Sequence, residues 1–131
     1  MAKSIGMIEY ATVSTGISAT DTMLKTAEVE VIEAQTVCPG KYIAIITGEL
    51  SAVKASVDNA KAQFGEKLID TFVLGNPHES VIPAIYGANS VENPKALGIL
   101  ETFSVASMIV AADTAAKTAE VDLYDSLPVL G

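Results

Sequence analysis

The chain has 131 residues, half of them apolar, with mean hydropathy +0.39, formal net charge −8 and a pI near 4.4. The acidic balance excludes a nucleic-acid partner or an anionic membrane surface, each of which needs a basic patch. No apolar run approaches the ~18 residues that a membrane span needs. The length suits one domain, or one small domain with part of another. A single cysteine, Cys38, and no signal-like apolar stretch near Lys3 point to a cytoplasmic protein without intrachain disulfides.

In chain order, residues 4–13 read as an apolar strand. Ser14 or Thr15 caps a helix over 15–27, with Ile17, Met23, Leu24 and Ala27 on its apolar side. Asp21 and Lys25 are spaced i,i+4 with the acid first, an exposed pair on one helix face. Residues 29–37 alternate, with Val29 and Val31 opposite Glu28 and Glu30, as a strand with one wet face does. Pro39-Gly40 turns the chain into a more uniformly apolar strand over 41–47. Ser51 caps a helix over 52–64, which Gly65 stops. A strand follows over 68–74, then the turn Asn76-Pro77-His78-Glu79, a short helix over 80–86 and a polar linker. The order β-α-β-β-α-β belongs to the α+β, ferredoxin-like class: an antiparallel sheet with two helices on one face.

After the linker the pattern starts again. Ile5-Gly6-Met7-Ile8-Glu9 is echoed by Leu97-Gly98-Ile99-Leu100-Glu101. Gly6, Glu9, Val13, Ala19, Asp21, Thr22, Lys25 and the run 26–29 all recur at a fixed offset of 92 residues. Such a match at one offset is a tandem duplication. Residues 1–90 make a first domain, and 91–131 hold the linker and part of a second: a strand, a helix and the start of another strand over 121–126. The second copy is incomplete, as in a truncated form of a longer chain, and Leu130 stands where Cys38 stands in the first.

The opening Ile5-Gly6-Met7-Ile8-Glu9, the helix end Asp21-x-x-x-Lys25-x-Ala27 and the turn Asn76-Pro77-His78-Glu79 resemble the bacterial microcompartment shell family. The doubling, with Cys38-Pro39-Gly40-Lys41 at the first inter-strand turn, resembles its tandem-domain, trimer-forming, propanediol-utilisation type. The resemblance implies a homotrimeric, pseudo-hexameric tile that packs with other shell proteins into a microcompartment shell. It implies that Thr36, Val37, Cys38, Pro39, Gly40 and Lys41 line the tile's central opening. It also implies that Cys38 from three chains holds one [4Fe–4S] cluster, for electron transfer or cluster delivery across the shell. It further implies that Asp21, Lys25, Asn76, Pro77, His78 and Lys117 fall at the tile edge. Asn76 occupies a position where the family often has arginine.

Read without the resemblance, Cys38 is a lone thiol and Gly40 a turn glycine with positive φ. Lys41 reads as a solvated charge beside the turn, or as a partner to an anionic cluster there; His78 reads as a turn or cap residue, and Glu9 and Glu101 as structural acids bound to backbone amides. The sequence holds no nucleophile–base pair, no metal-spaced histidines and no phosphate-binding glycine loop, which speaks against an enzyme. The alternative to a shell tile is a trimeric, ferredoxin-like regulatory protein that binds a metabolite between subunits.

Overall fold

The computed structural model describes residues 4–125. Its elements are β1 (Ser4–Tyr10), α1 (Val13–Thr26), β2 (Glu30–Val37), β3 (Lys41–Gly48), α2 (Leu50–Gln63), β4 (Leu68–Leu74), α3 (Val81–Ile85) and α4 (Val105–Thr118). The four strands form one antiparallel sheet in the order β2-β3-β1-β4, so the ferredoxin-like expectation holds.

Both faces of the sheet are covered. Ile8, Tyr10, Ala44 and Ile46 pack on α1 and α2 through Ala19, Met23, Val53, Val57 and Ala60. Ile5, Met7, Ile43, Ile45 and Phe72 pack on α3 and α4 through Val81, Ile85, Ala106 and Ile109. Burial on both sides is why β1 and β3 read as near-continuous apolar runs. Gly6 and Gly16 permit close layer contact. A Cβ on Gly16 would stand 2.5 Å from Tyr42 Cδ1, and one on Gly6 would stand 2.6 Å from Val53 Cγ1.

The first strand ends three residues earlier than the sequence suggests. Val13 begins α1, with Thr12 in extended conformation at its N-cap, so neither Ser14 nor Thr15 caps it. Glu49, not Ser51, precedes α2. Two register shifts interrupt the ladders. One lies between Val31 and Glu33 and leaves Ile32 as an extra residue on β2; the other pairs Glu9 with Asp70 and Tyr10 with Leu68, leaving Ile69 extra on β4.

The second copy forms its helix but not its strands. Residues 97–101 and 121–125 are irregular, and residue 126 of the expected second strand lies outside the described residues. In the first copy β1 is held by β3 and β4 on its two sides. Among the described residues no strand pairs with residues 97–101, so they join no ladder. Leu97, Ile99 and Phe103 are left exposed, and Glu101, expected to be a buried structural acid, is exposed with them.

Candidate functional site: the Cys38 turn and the docking face for α4

The hairpin between β2 and β3 pairs Val37 with Lys41 and leaves Cys38, Pro39 and Gly40 at its tip. Cys38 is exposed, and its thiol is free. Gly40 has φ +77°, the left-handed conformation expected for a turn glycine, with nothing within 4 Å of where a Cβ would lie. The Cys38–Pro39 peptide bond is cis. A groove of about 410 Å³ lies beside this turn, bounded by Val37, Cys38, Pro39, Lys41 and residues 99–105 with Met108.

Lys41 is not a solvated charge. Its Nζ donates to Glu9 Oε2 at 2.8 Å; the Lys41 side chain is 19% exposed and that of Glu9 is 0%. The other carboxylate oxygen, Oε1, accepts the backbone N–H of Ala106 at 3.1 Å, in the first turn of α4. Glu9 is therefore a structural acid on a backbone amide, as expected, and also half of an ion pair. The partial positive charge at a helix N-terminus complements a carboxylate at that place.

Asp70 stands beside it. Ser104 Oγ donates to Asp70 Oδ2 at 2.6 Å and Ser107 Oγ at 3.1 Å, while Thr71 N–H donates to Oδ1 at 2.8 Å. Burial pushes the Asp70 carboxyl up, but the hydrogen bonds from Ser104, Thr71 and Ser107 outweigh this and hold it below its ordinary value. Ser104 is the N-cap of α4, and its Oγ also accepts from Ser107 N–H at 3.0 Å.

At the other end of α4, Asp113 and Lys117 meet the turn after β4. Asp113 Oδ1 accepts His78 N–H at 2.7 Å, and Lys117 Nζ donates to Asp113 Oδ2 at 2.7 Å and to the Asn76 carbonyl at 2.6 Å. Asp113 is buried. His78 has the expected turn role. Ser80 N–H donates to its Nδ1 at 3.2 Å, so Nδ1 is the acceptor, and Ser80 Oγ donates to it at 2.8 Å. Asn76, Pro77, His78 and Lys117 are thus brought together within one chain. Asp21 and Lys25 form their own exposed pair at 2.7 Å, away from that turn.

Two of these features escape a reading of the sequence. Asp70 is a lone acid in an apolar strand, and only the spacing Ser104-x-x-Ser107 before an apolar helix hints at its partners. The Glu9–Lys41 pair joins residues 32 positions apart; the recurrence of an acid at a strand centre is its only trace. Among the described residues, no group of three or more His, Cys, Asp or Glu within the chain could hold a metal ion. A cluster on Cys38 would therefore need thiolates from other chains. No helix among the described residues is long and apolar enough to cross a membrane.

A four-stranded antiparallel sheet in the order β2-β3-β1-β4, with paired helices and a repeated helix docked on its second face, defines a tandem α+β protein of the ferredoxin-like class. The family model for the BMC domain matches residues 4–77 and 96–129, and the chain belongs to this family of bacterial microcompartment shell proteins, which are structural proteins rather than enzymes. The chain is 42% identical over 123 residues to the bacterial microcompartment shell protein PduT of Citrobacter freundii, covering 94% of this chain and 67% of that one. It is 32% identical over 93 residues to the carboxysome shell protein CcmK1 of Thermosynechococcus vestitus, covering 66% of this chain and 82% of that one. A crystal structure of a microcompartments protein from Desulfitobacterium hafniense superposes with a TM-score of 0.78 at 50% identity, over 93% of this chain and 68% of that one.

Proposed function

We propose that this shell protein works as a homotrimeric, pseudo-hexameric tile in the shell of a cytoplasmic microcompartment, packed among other shell proteins, with Cys38 at its central opening. The observation that carries this reading is the two-faced use of the repeated helix. In α1, Gly16, Ala19, Thr20 and Met23 are buried against its own domain. In α4, a shifted set is buried against the first domain: Ala106, Ile109, Ala112 and Asp113, of which only Ala112 matches a position buried in α1, Thr20. At the repeat offset, Ala106, Ile109 and Asp113 correspond to Ser14, Ile17 and Asp21, which are exposed; Ile17 is 53% exposed. So α1 presents to solvent the face with which α4 grips a neighbouring domain. Thr12 and Thr15, the counterparts of Ser104 and Ser107, bond to each other at 2.7 Å. In a closed ring, α1 of each chain would take on an adjacent chain's second domain the place that α4 takes within its own chain.

A cyclic trimer gathers three Cys38 thiols on one axis. Their exposed position at a turn tip fits three-fold ligation of a [4Fe–4S] cluster, whose protein ligands are typically thiolates. When bound, such a cluster supplies one-electron transfer, or is itself the cargo delivered across the shell. The chain's own part is to hold three sulfurs at a common radius through the Val37–Lys41 pairing at the base of the turn.

The test is anaerobic purification of wild type and Cys38→Ser, with light scattering, iron and sulfide analysis and electron paramagnetic resonance. Wild type should be trimeric with one cluster per three chains, and Cys38→Ser trimeric without iron. Wild type that binds no iron after reconstitution overturns the cluster; a chain that stays monomeric overturns the tile. Two-dimensional sheets in vitro separate a shell tile from a metabolite-binding regulator, which would remain a discrete oligomer.

A further inference from the structure

Lys41 begins β3 at the base of the Cys38 turn, and its charge is drawn onto the sheet face that α4 covers. Glu9 is fully buried near the C-terminal end of β1, where it pairs with Ile43 on β3 and Asp70 on β4. Its two oxygens bind the Lys41 ammonium at 2.8 Å and the Ala106 amide at 3.1 Å. One carboxylate therefore joins the base of the Cys38 turn, the central strand and the docked helix of the second copy.

We propose that Glu9 is a positioning residue that withdraws the Lys41 cation from the surface of the Cys38 turn, and so fixes the charge this surface presents. A lysine at the end of a hairpin, without a partner, extends its ammonium into water beside the turn. Three such cations around an axis would make a positive collar that draws in phosphate- and carboxylate-bearing anions. With Glu9 in place the ammonium is neutralised behind the turn, and the rim offers thiol and backbone. Glu9 is in this sense specificity-determining for whatever meets Cys38. The consequence for a central opening rests on the tile reading above; the withdrawal of the charge does not, and is measurable on a single chain.

The test compares the reaction of Cys38 with a dianionic aromatic disulfide and with a neutral dipyridyl disulfide, alongside residue-resolved acylation of lysines read by mass spectrometry. In wild type, Lys41 should acylate more slowly than the exposed Lys25 and Lys54. In Glu9→Gln, Lys41 should acylate faster while Lys25 and Lys54 keep their rates. The anionic-to-neutral rate ratio at Cys38 should then rise by about threefold or more, as one added unit charge within roughly 7 Å of an anionic group produces in water. Glu9→Gln/Lys41→Gln should return to the wild-type ratio. A general loosening of the fold would speed both reagents alike and leave the ratio unmoved, which would overturn the proposal. Glu9→Gln/Lys41→Gln removes both charges at once and so stays informative even if Glu9→Gln alone fails to fold, whereas Lys41→Gln alone would leave the Glu9 carboxylate unpaired. A ratio below wild type in the double variant would show that the cation already acts at Cys38, and would equally overturn the proposal. Neither reagent requires iron or a trimer, so failure here is distinct from failure of the tile.

Discussion

Glu9 on β1 and Asp70 on β4 are direct cross-strand partners, and both carboxylates serve the first turn of α4. Like charges in that relation ordinarily weaken a sheet. Here each has its own donors: Lys41 and the Ala106 amide for Glu9, and Ser104, Ser107 and the Thr71 amide for Asp70. The extra residue Ile69 lies next to Asp70, where the register of β4 against β1 changes. Bulges of this kind re-aim side chains at working surfaces. The working surface in this protein is the seat for a neighbouring domain's helix.

Asp70 makes that seat sensitive to acid. Its folded pKa is depressed below the ordinary 3.8, so its contribution is fully present above that value and is lost as pH falls through the lower folded value. Asp70→Asn should therefore lower Tm at pH 7, and the gap to wild type should narrow below about pH 4. Thermal melts between pH 7 and pH 2 would check this. A gap that stays constant across the range would remove the carboxylate from the account.

The two repeated isoleucines should respond unequally. Ile109 is buried in the core beneath α4, so Ile109→Ala should cost about 2–4 kcal/mol in denaturant unfolding. Ile17, its counterpart 92 positions earlier, is exposed, and Ile17→Ala should stay within about 0.5 kcal/mol. Ile17→Ala should nevertheless weaken self-association measured by light scattering. Equal costs for the two substitutions would mean that α4 is not docked as described.

Much of this was legible in the sequence, because local periodicity and repetition carry it. The sequence bounds β4 at Leu68 and Leu74, as the structure does, and places the other elements of the first copy with ends at most three residues off. The alternation in β2 was read in one phase, with Val29 and Val31 on the apolar side. The extra residue Ile32 changes that phase, so that Val31 faces one core and Val37 the other. No single-strand pattern announces such a shift. The strand expected at 97–101 failed for a related reason: its composition suits a strand, but a strand is stable only with a ladder partner. Lys41 reads as solvated in the sequence because its partner Glu9 comes from a strand 32 positions away, and long-range ion pairs leave no local mark.

Two glycines separate steric from conformational demand. Gly16→Ala would drive a Cβ to within 2.7 Å of Tyr42 Cβ and Cγ on β3, atoms that cannot swing aside. It should destabilise the domain by about 1–3 kcal/mol or more. Gly40→Ala meets nothing within 4 Å, so its cost is the left-handed backbone alone, about 1–2 kcal/mol. Gly40→Asn should recover part of that loss, since Asn tolerates φ > 0. Chemical denaturation of the three variants orders them. If Gly16→Ala proves as mild as Gly40→Asn, the packing of α1 on Tyr42 is looser than the structure shows.

The two lysines of the repeated Asp-x-x-x-Lys pair should divide stability from assembly. Lys117 holds a buried carboxylate, Asp113, and caps the Asn76 carbonyl, so Lys117→Ala should cost about 1 kcal/mol in unfolding and loosen the turn at His78. Lys25 and Asp21 form the same pair in solvent, where an i,i+4 ion pair contributes a few tenths of a kcal/mol. Lys25→Ala should therefore leave Tm nearly unchanged. Lys117 shows what this side chain does beside a Pro-His turn: its ammonium reaches the carbonyl one residue before the proline. At a contact between chains or tiles, Lys25 has that option, with its apolar stem lying along the contact. Electron microscopy of assembled material should then show sheets that are smaller or fewer in Lys25→Ala, at unchanged unfolding midpoint. Sheets indistinguishable from wild type would confine Lys25 to its local pair with Asp21.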